Sequence, residues 1–222
     1  MQFDLFDQTQ NTIFGATTYA AFRQAFLQVG CTKCRLSQGR TNLVIDRGNP
    51  AAKILVIGEA PGENEDKQGL AFVGRAGKVM DEIFAGIGLD TNRDTLIINV
   101  VKCRPPENRA PLRDEVETCQ PYLRRQIELV KPRLIVLLGA TALKHIIPGK
   151  TEFSMEEEAG RLFTHGSYPG IQLMVLYHPA YLLYDPRKRK DMEAHVKLLR
   201  SYLEGEQLMP SAAAAGVSGG AR

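Results

Sequence analysis

The chain has 222 residues, 44% of them hydrophobic and 24% charged, enough for one well-buried domain and short for two. No apolar run approaches the ~18 residues that span a bilayer, and Met1 to Asp7 are acidic where a secretory leader is basic; a cytoplasmic chain with no membrane partner is expected. The formal net charge of +3 is too small to single out a nucleic-acid binder.

Residues 1–16 are polar and without period, and read as a flexible N-terminal segment. The spacing of Ala20, Phe22, Phe26 and Leu27 predicts a helix over 17–30, closed by Gly30. Four short runs of Ile, Val and Leu follow, at 54–57, 96–101, 134–138 and 173–176. Each is almost continuously apolar and bounded by Gly, Pro or charge, as strands covered on both faces are. Helical stretches lie between them. Residues 77–87 set Val79, Met80, Ile83 and Phe84 on one side, and 113–130 begin after Pro111 and carry Val116, Tyr122, Leu123 and Ile127. Helices are also expected at 140–147 and 191–203. Strand–helix alternation of this kind predicts an α/β fold, a three-layer α/β/α sandwich on a central four-stranded parallel sheet, within one domain over 17–204. The segment 205–222, with its alanine run and scattered Gly and Ser, reads as a disordered tail. Ligands of such sheets bind beyond the carboxyl ends of the strands, so the loops starting at Gly58, Val101, Gly139 and Tyr177 should converge.

Four cysteines need an account. Cys31 and Cys34 form C-x-x-C after the first helix, Cys103 follows the second strand, and Cys119 falls in the next helix. Disulfides are disfavoured in the cytosol, and unrelated buried thiols would leave the C-x-x-C pair unexplained. One tetrathiolate metal site is the best reading; zinc and an iron–sulfur cluster both accept four thiolates, and the long, split second pair tilts towards a cluster.

The first strand runs into Gly58-Glu59-Ala60-Pro61-Gly62, then Glu65 and Phe72-Val73-Gly74-Arg75-Ala76-Gly77. These loops match neither common phosphate-binding glycine pattern, so a phosphate cradle is not indicated. Asn99, set among apolar residues, needs partners, which backbone or a ligand's polar edge can supply. His178 stands at the carboxyl end of the fourth strand, held by Pro179. Two cationic groupings, Arg187 to Lys190 and Lys102, Arg104, Arg109 and Arg113, read in isolation as solvated faces.

The ordered set G-E-A-P-G, F-V-G-x-A-G, N-V-V-K-C-R-P-P and H-P-A-x-L-L, with four cysteines interleaved, resembles the family-4 uracil-DNA glycosylases from about residue 31 to residue 203. The resemblance implies the uracil-DNA-glycosylase fold, a [4Fe-4S] cluster on Cys31, Cys34, Cys103 and Cys119, and removal of uracil from single- and double-stranded DNA by a monomer associated with the nucleoid. It also implies that Phe72 stacks on the base, that Asn99 reads its edge and that His178 lies beside uracil O2. Backbone amides of Gly58, Glu59 and Ala60 would add pocket contacts. Glu65 matches a position near the base and is the candidate that rejects thymine by its C5 methyl.

Those residues suit the chemistry. An enzyme acting on a base must flip it out of the stack. Asn99 can accept from N3–H and donate to O4, and cytosine presents the opposite pattern at both. A neutral His178 can donate to O2 as charge develops on the leaving base. Related glycosylases carry an aspartate in the first loop to position water; this chain has Ala60, leaving Glu59 as the nearest carboxylate. Relatives that become covalently linked to DNA carry Gln there and a basic, histidine-bearing insert; with neither present, turnover is expected. Leu182, Leu183 and Tyr184 are candidates for a wedge that fills the hole left by the flipped nucleotide, and Arg187, Lys188, Arg189 and Lys190 for phosphate contacts. Two competing readings are a glycosylase of broader range, taking hypoxanthine or mismatched thymine, and a non-catalytic iron–sulfur DNA-binding module. Separately, Gln2, Asp4, Leu5 and Phe6 match the Q-x-D/S-L-F pattern of ligands of the bacterial sliding clamp.

Overall fold

The Ile-, Val- and Leu-rich runs form the centre of the computed structural model, which describes residues 12–209. The strands are β1 (Arg47–Gly48), β2 (Ile54–Gly58), β3 (Thr95–Asn99), β4 (Leu134–Leu138), β5 (Leu162–Thr164) and β6 (Gln172–Leu176), in the order β1-β3-β2-β4-β6-β5. β3, β2, β4 and β6 are the expected parallel core. The four-stranded sheet of the sequence reading is extended to six by β1 and β5, which pair antiparallel at the two edges. Both are very short and mostly uncovered, so neither leaves a continuous apolar run to read.

Side chains of the core strands alternate between two apolar layers. Leu55, Ile57, Leu96, Ile98, Ile135 and Leu137 face helices α1 (Tyr19–Val29), α4 (Arg113–Val130) and α5 (Gly139–Ile146). Ile54, Val56, Ile97, Val136 and Leu138 face α3 (Arg75–Ala85) and α8 (Arg189–Gly205). Three short helices, α2 (Glu63–Gln68), α6 (Met155–Glu158) and α7 (Pro179–Tyr184), lie in the connections. The Thr18 side chain caps α1 by accepting from the Ala21 amide, and Gly30 ends it in the left-handed region at φ 61°. Its buried face is Tyr19, Phe22, Ala25 and Phe26; Ala20 and Leu27, expected on that face, are exposed.

Both ends of the domain reach further than the sequence suggested. Ile13 is fully buried and Phe14 stacks on Tyr122 at 5.2 Å between ring centroids, so Ile13, Phe14 and Ala16 join the core. Three apolar residues in a polar stretch are too few to reveal a period. At the other end, Leu208 and Met209 pack on the α3/α8 face and Glu206 pairs with Arg133 at 2.6 Å, so the first residues of the expected tail are folded. The clamp-like motif at Gln2, Asp4, Leu5 and Phe6, and residues 210–222, lie outside the described residues. Among the described residues no helix is long and apolar enough to cross a membrane. A cavity of about 760 Å³ lined by Arg124, Ile127, Arg133, Ile146 and Tyr168 opens at the amino ends of β4 and β6, the end of the sheet away from the loops described next.

Candidate active site

The parallel register levels the carboxyl ends of the core strands, pairing Gly58 with Asn99 and Leu138 with Leu176. The segments that follow the four core strands converge as expected, although the one at Gly139 is the first turn of α5 rather than a loop. Amides of Val100 and Val101 donate to the carbonyls of Gly58 (3.0 Å) and Glu59 (3.2 Å), lacing the β3 loop to the β2 loop. A Cβ on Gly58 would stand 2.4 Å from Phe72 Cζ and 2.6 Å from Asn99 Oδ1, so both groups close on the bare Gly58 Cα. Phe72 holds a left-handed φ of 54°, and Gly77 gives its carbonyl room: a Cβ there would lie 1.8 Å from Phe72 O. The Phe72 ring centroid is 5.7 Å from that of His178, tilted 39°.

Asn99 is 1% exposed, and neither Oδ1 nor Nδ2 has a partner. Each unpaired buried polar group costs ~1–3 kcal/mol, so a donor and an acceptor side by side point to an absent ligand rather than to packing. His178 caps α7: its Nδ1 accepts from the Ala180 amide at 3.2 Å, which leaves the proton of the neutral ring on Nε2. The residue is half-buried, and desolvation of the ring lowers its pKa to about 4. The imidazole is therefore a neutral donor at physiological pH. Gly139, at φ 80°, permits this placement, since a Cβ there would be 2.9 Å from His178 Cβ.

The carboxylates around the pocket are tied to its loops. Glu59 accepts from the hydroxyl of Thr141, at the start of α5. Glu65 accepts from the amides of Gly62 (3.1 Å) and Gly74 (2.6 Å), clasping the two pocket loops together. Asp66, buried behind it, accepts from the amides of Thr41 and Asn42. Ala60 is partly buried against the α1/α4 layer. Sequence reasoning missed Thr141 and Asp66, whose partners lie far along the chain; the position of Thr141 two residues into a convergent loop was the one available signal.

Cys31, Cys34, Cys103 and Cys119 line one cavity with Arg40, Lys102 and Tyr122. Arg40 donates to the Cys103 sulfur at 2.9 Å and to the Gly30 carbonyl at 3.0 Å, tying the cysteine segments together. Burial pushes the Cys103 thiol up to about 11 and that of Cys119 to about 12. Among the described residues, no group of three or more His, Cys, Asp or Glu is arranged to hold a metal ion. Lys102, taken from sequence as part of a surface cluster, is 1% exposed, with its ammonium 2.5 Å from the Asn99 carbonyl oxygen.

The proposed DNA contacts need correction. Leu182 is buried in the α3/α8 layer and is no wedge, whereas Leu183 is 36% and Tyr184 86% exposed. Arg187 pairs with Asp185, Lys188 with Glu156 and Asp191, and Arg189 with Glu82 and Glu193; Lys190 is exposed. The second grouping also dissolves: Arg109 forks onto the fully buried Glu115, Arg113 pairs with Glu117 and Arg104 meets Asn108. Asp185, Asp191, Glu193, Glu115 and Glu117 neutralise these cations from within a few residues, and Glu82 and Glu156 do so from distant parts of the chain.

A family model for the uracil DNA glycosylase superfamily matches residues 45–203. The chain is similar to the type-4 uracil-DNA glycosylase of Sulfurisphaera tokodaii, at 45% identity over 78% of this chain and 80% of that protein. It is likewise similar to the type-4 enzymes of Saccharolobus solfataricus, at 40% identity over 80% and 84% of the two chains, and of Thermotoga maritima, at 42% over 69% and 78%.

Proposed function

The chain belongs to the uracil DNA glycosylase superfamily and, within it, to the type-4 uracil-DNA glycosylases, and on that premise we propose how it excises uracil from DNA as the first step of base excision repair. The observation that carries the reading is the buried, unpaired amide of Asn99 beside the Phe72 ring and the neutral His178. A flipped uracil stacks on Phe72, gives N3–H to Asn99 Oδ1 and accepts at O4 from Nδ2. Cytosine would leave both groups unpaired, the stronger form of discrimination.

The C1′–N1 bond breaks with its electron pair leaving on the base. A water oxygen then bonds C1′, and the proton it loses passes through solvent to the uracil anion, so that a neutral base and an abasic sugar are the products. His178 Nε2–H stabilises the charge that develops on O2, without transferring its proton. Glu59, fixed by Thr141, is the carboxylate nearest the place of the absent loop aspartate and orders the attacking water. Glu65 shapes the wall facing the C5 position through the loops it clasps. The substrates are single- and double-stranded uracil-containing DNA, handled by a monomeric, cytoplasmic enzyme at the nucleoid. Leu183 and Tyr184 form the wedge, and Lys190 contributes phosphate contacts.

Four cysteines around one cavity are the donor set of a [4Fe-4S] cluster, the reading the family resemblance favours over zinc. Held by Cys31, Cys34, Cys103 and Cys119, the cluster would supply a rigid tie between the segment after α1, the β3 loop and α4. Clamp binding through residues 2–6 is proposed on the motif alone; unchanged clamp affinity in a Leu5→Ala, Phe6→Ala variant would reject it.

Release of free uracil from an oligonucleotide carrying one uracil tests the central reading. The wild type should release it, with His178→Ala and Asn99→Ala slower by on the order of 10²–10³-fold in kcat, the usual loss for one preorganised donor. Wild-type protein that releases none would sink it.

A further inference from the structure

Among the described residues Lys102 is the one fully buried cation, and the mechanism above gives it no task. Its ammonium lies 2.5 Å from the carbonyl oxygen of Asn99, three residues back at the end of β3. Its own carbonyl accepts from Val44 at 2.9 Å, so the residue is fixed at both ends. Among the described residues no carboxylate forms an ion pair with it; the buried Asp46 carboxylate, already held by Arg23 and Tyr19, acts on it from further off, and it lines the cavity of the four cysteines. Burying an ammonium costs several kcal/mol unless opposite charge lies close. A strand-end carbonyl can be satisfied far more cheaply by a backbone amide or a hydroxyl. The cost is offset where the cavity carries negative charge, as four thiolates around a cluster do.

At the other end of this contact stands the amide that reads the base. Asn99 Oδ1 and Nδ2 are unpaired in the pocket, so nothing there fixes the residue except its backbone and the Phe72 and Gly58 atoms packed on it. Lys102 holds that backbone. We propose that Lys102 is a positioning residue that bridges the four-cysteine centre to Asn99, so that the charge of the centre fixes the strand end from which the base is read. The inference rests on the uracil-excision reading above.

The test is a double-mutant cycle on the purified holoprotein, with single-turnover uracil release measured for wild type, Lys102→Met, Asn99→Ala and the pair. If Lys102 acts through Asn99, K102M lowers the rate about tenfold or more, and adding it to N99A changes little further, because coupled residues are not additive. A K102M rate within two- to threefold of wild type, or full additivity, overturns the bridge to Asn99. The link to the centre is read without turnover: loss of a neighbouring positive charge should move the reduction potential of the centre to a more negative value in K102M, and an unchanged potential overturns that link. If K102M does not fold, Lys102→Gln enters the same cycle; if that too fails to fold, Lys102 is a stability element and the proposal falls. Failure of the underlying reading looks different, since wild type would then release no uracil or N99A would release it at the wild-type rate.

Discussion

Asn99 and His178 show how burial prepares a side chain for a ligand. The Asn99 amide forgoes hydrogen bonds that water or backbone would supply, and only a ligand with the matching edge restores them. His178 has the opposite problem, because burial penalises its charged form and leaves a neutral donor with a pKa of about 4 against an ordinary value of about 6.5. Two consequences follow in sign. Because the folded pKa is depressed, the stability this ring contributes is fully present above about pH 6.5 and is lost as pH falls towards 4. Because the neutral form donates to the leaving base, kcat on a single-stranded uracil oligonucleotide should stay level from pH 8 down past 6.5 and decline only on approach to 4. A rate that rises through an inflection near pH 6.5 as the solution is acidified would mean that the imidazolium is the donor.

Among the elements, α7 and the turn after it carry the residues proposed to meet DNA. Successive residues of a helix point about 100° apart, and the α3/α8 layer covers only the side of α7 that carries Leu182. Leu182 takes the core, and Leu183 and Tyr184 are left at the surface directly beyond the histidine. A Leu183→Ala, Tyr184→Ala variant should lose about tenfold in kcat/KM on double-stranded uracil DNA, equivalent to ~1.4 kcal/mol, because the hole in the stack goes unfilled. On a single strand no such hole exists, and the rate should hold. Equal losses on both substrates would show that the pair serves pocket or fold rather than the duplex. The adjacent cationic run teaches a related lesson: its spacing along the chain was plain, but Glu82 of α3 and Glu156 of α6 neutralise part of it from outside.

For the molecule as a whole, the cysteine cavity joins the segment after α1 to the β3 loop and α4, parts of the chain far apart in sequence. Cys103→Ser should yield protein without the iron and acid-labile sulfide of the wild type. It should also unfold more readily by on the order of 2–4 kcal/mol, as when a cross-link that closes a long loop is lost. Iron analysis and denaturant midpoints check both parts, and a wild-type protein that is colourless and iron-free removes the cluster from the account. By itself the sequence determined the order of elements, the parallel core and the four loops that meet at its carboxyl end. Burial on both faces leaves continuous apolar runs such as 134–138, and the glycines, Asn99 and His178 stand at their ends. The tertiary structure alone decided that β1 and β5 extend the sheet, that Glu65 and Glu59 fasten loops, that Leu182 turns inward and that Lys102 reaches back to Asn99. Most of those outcomes depend on a partner or a covering surface brought near by the fold; the contact of Lys102 with Asn99 spans only three residues, but its burial comes from the elements packed around it.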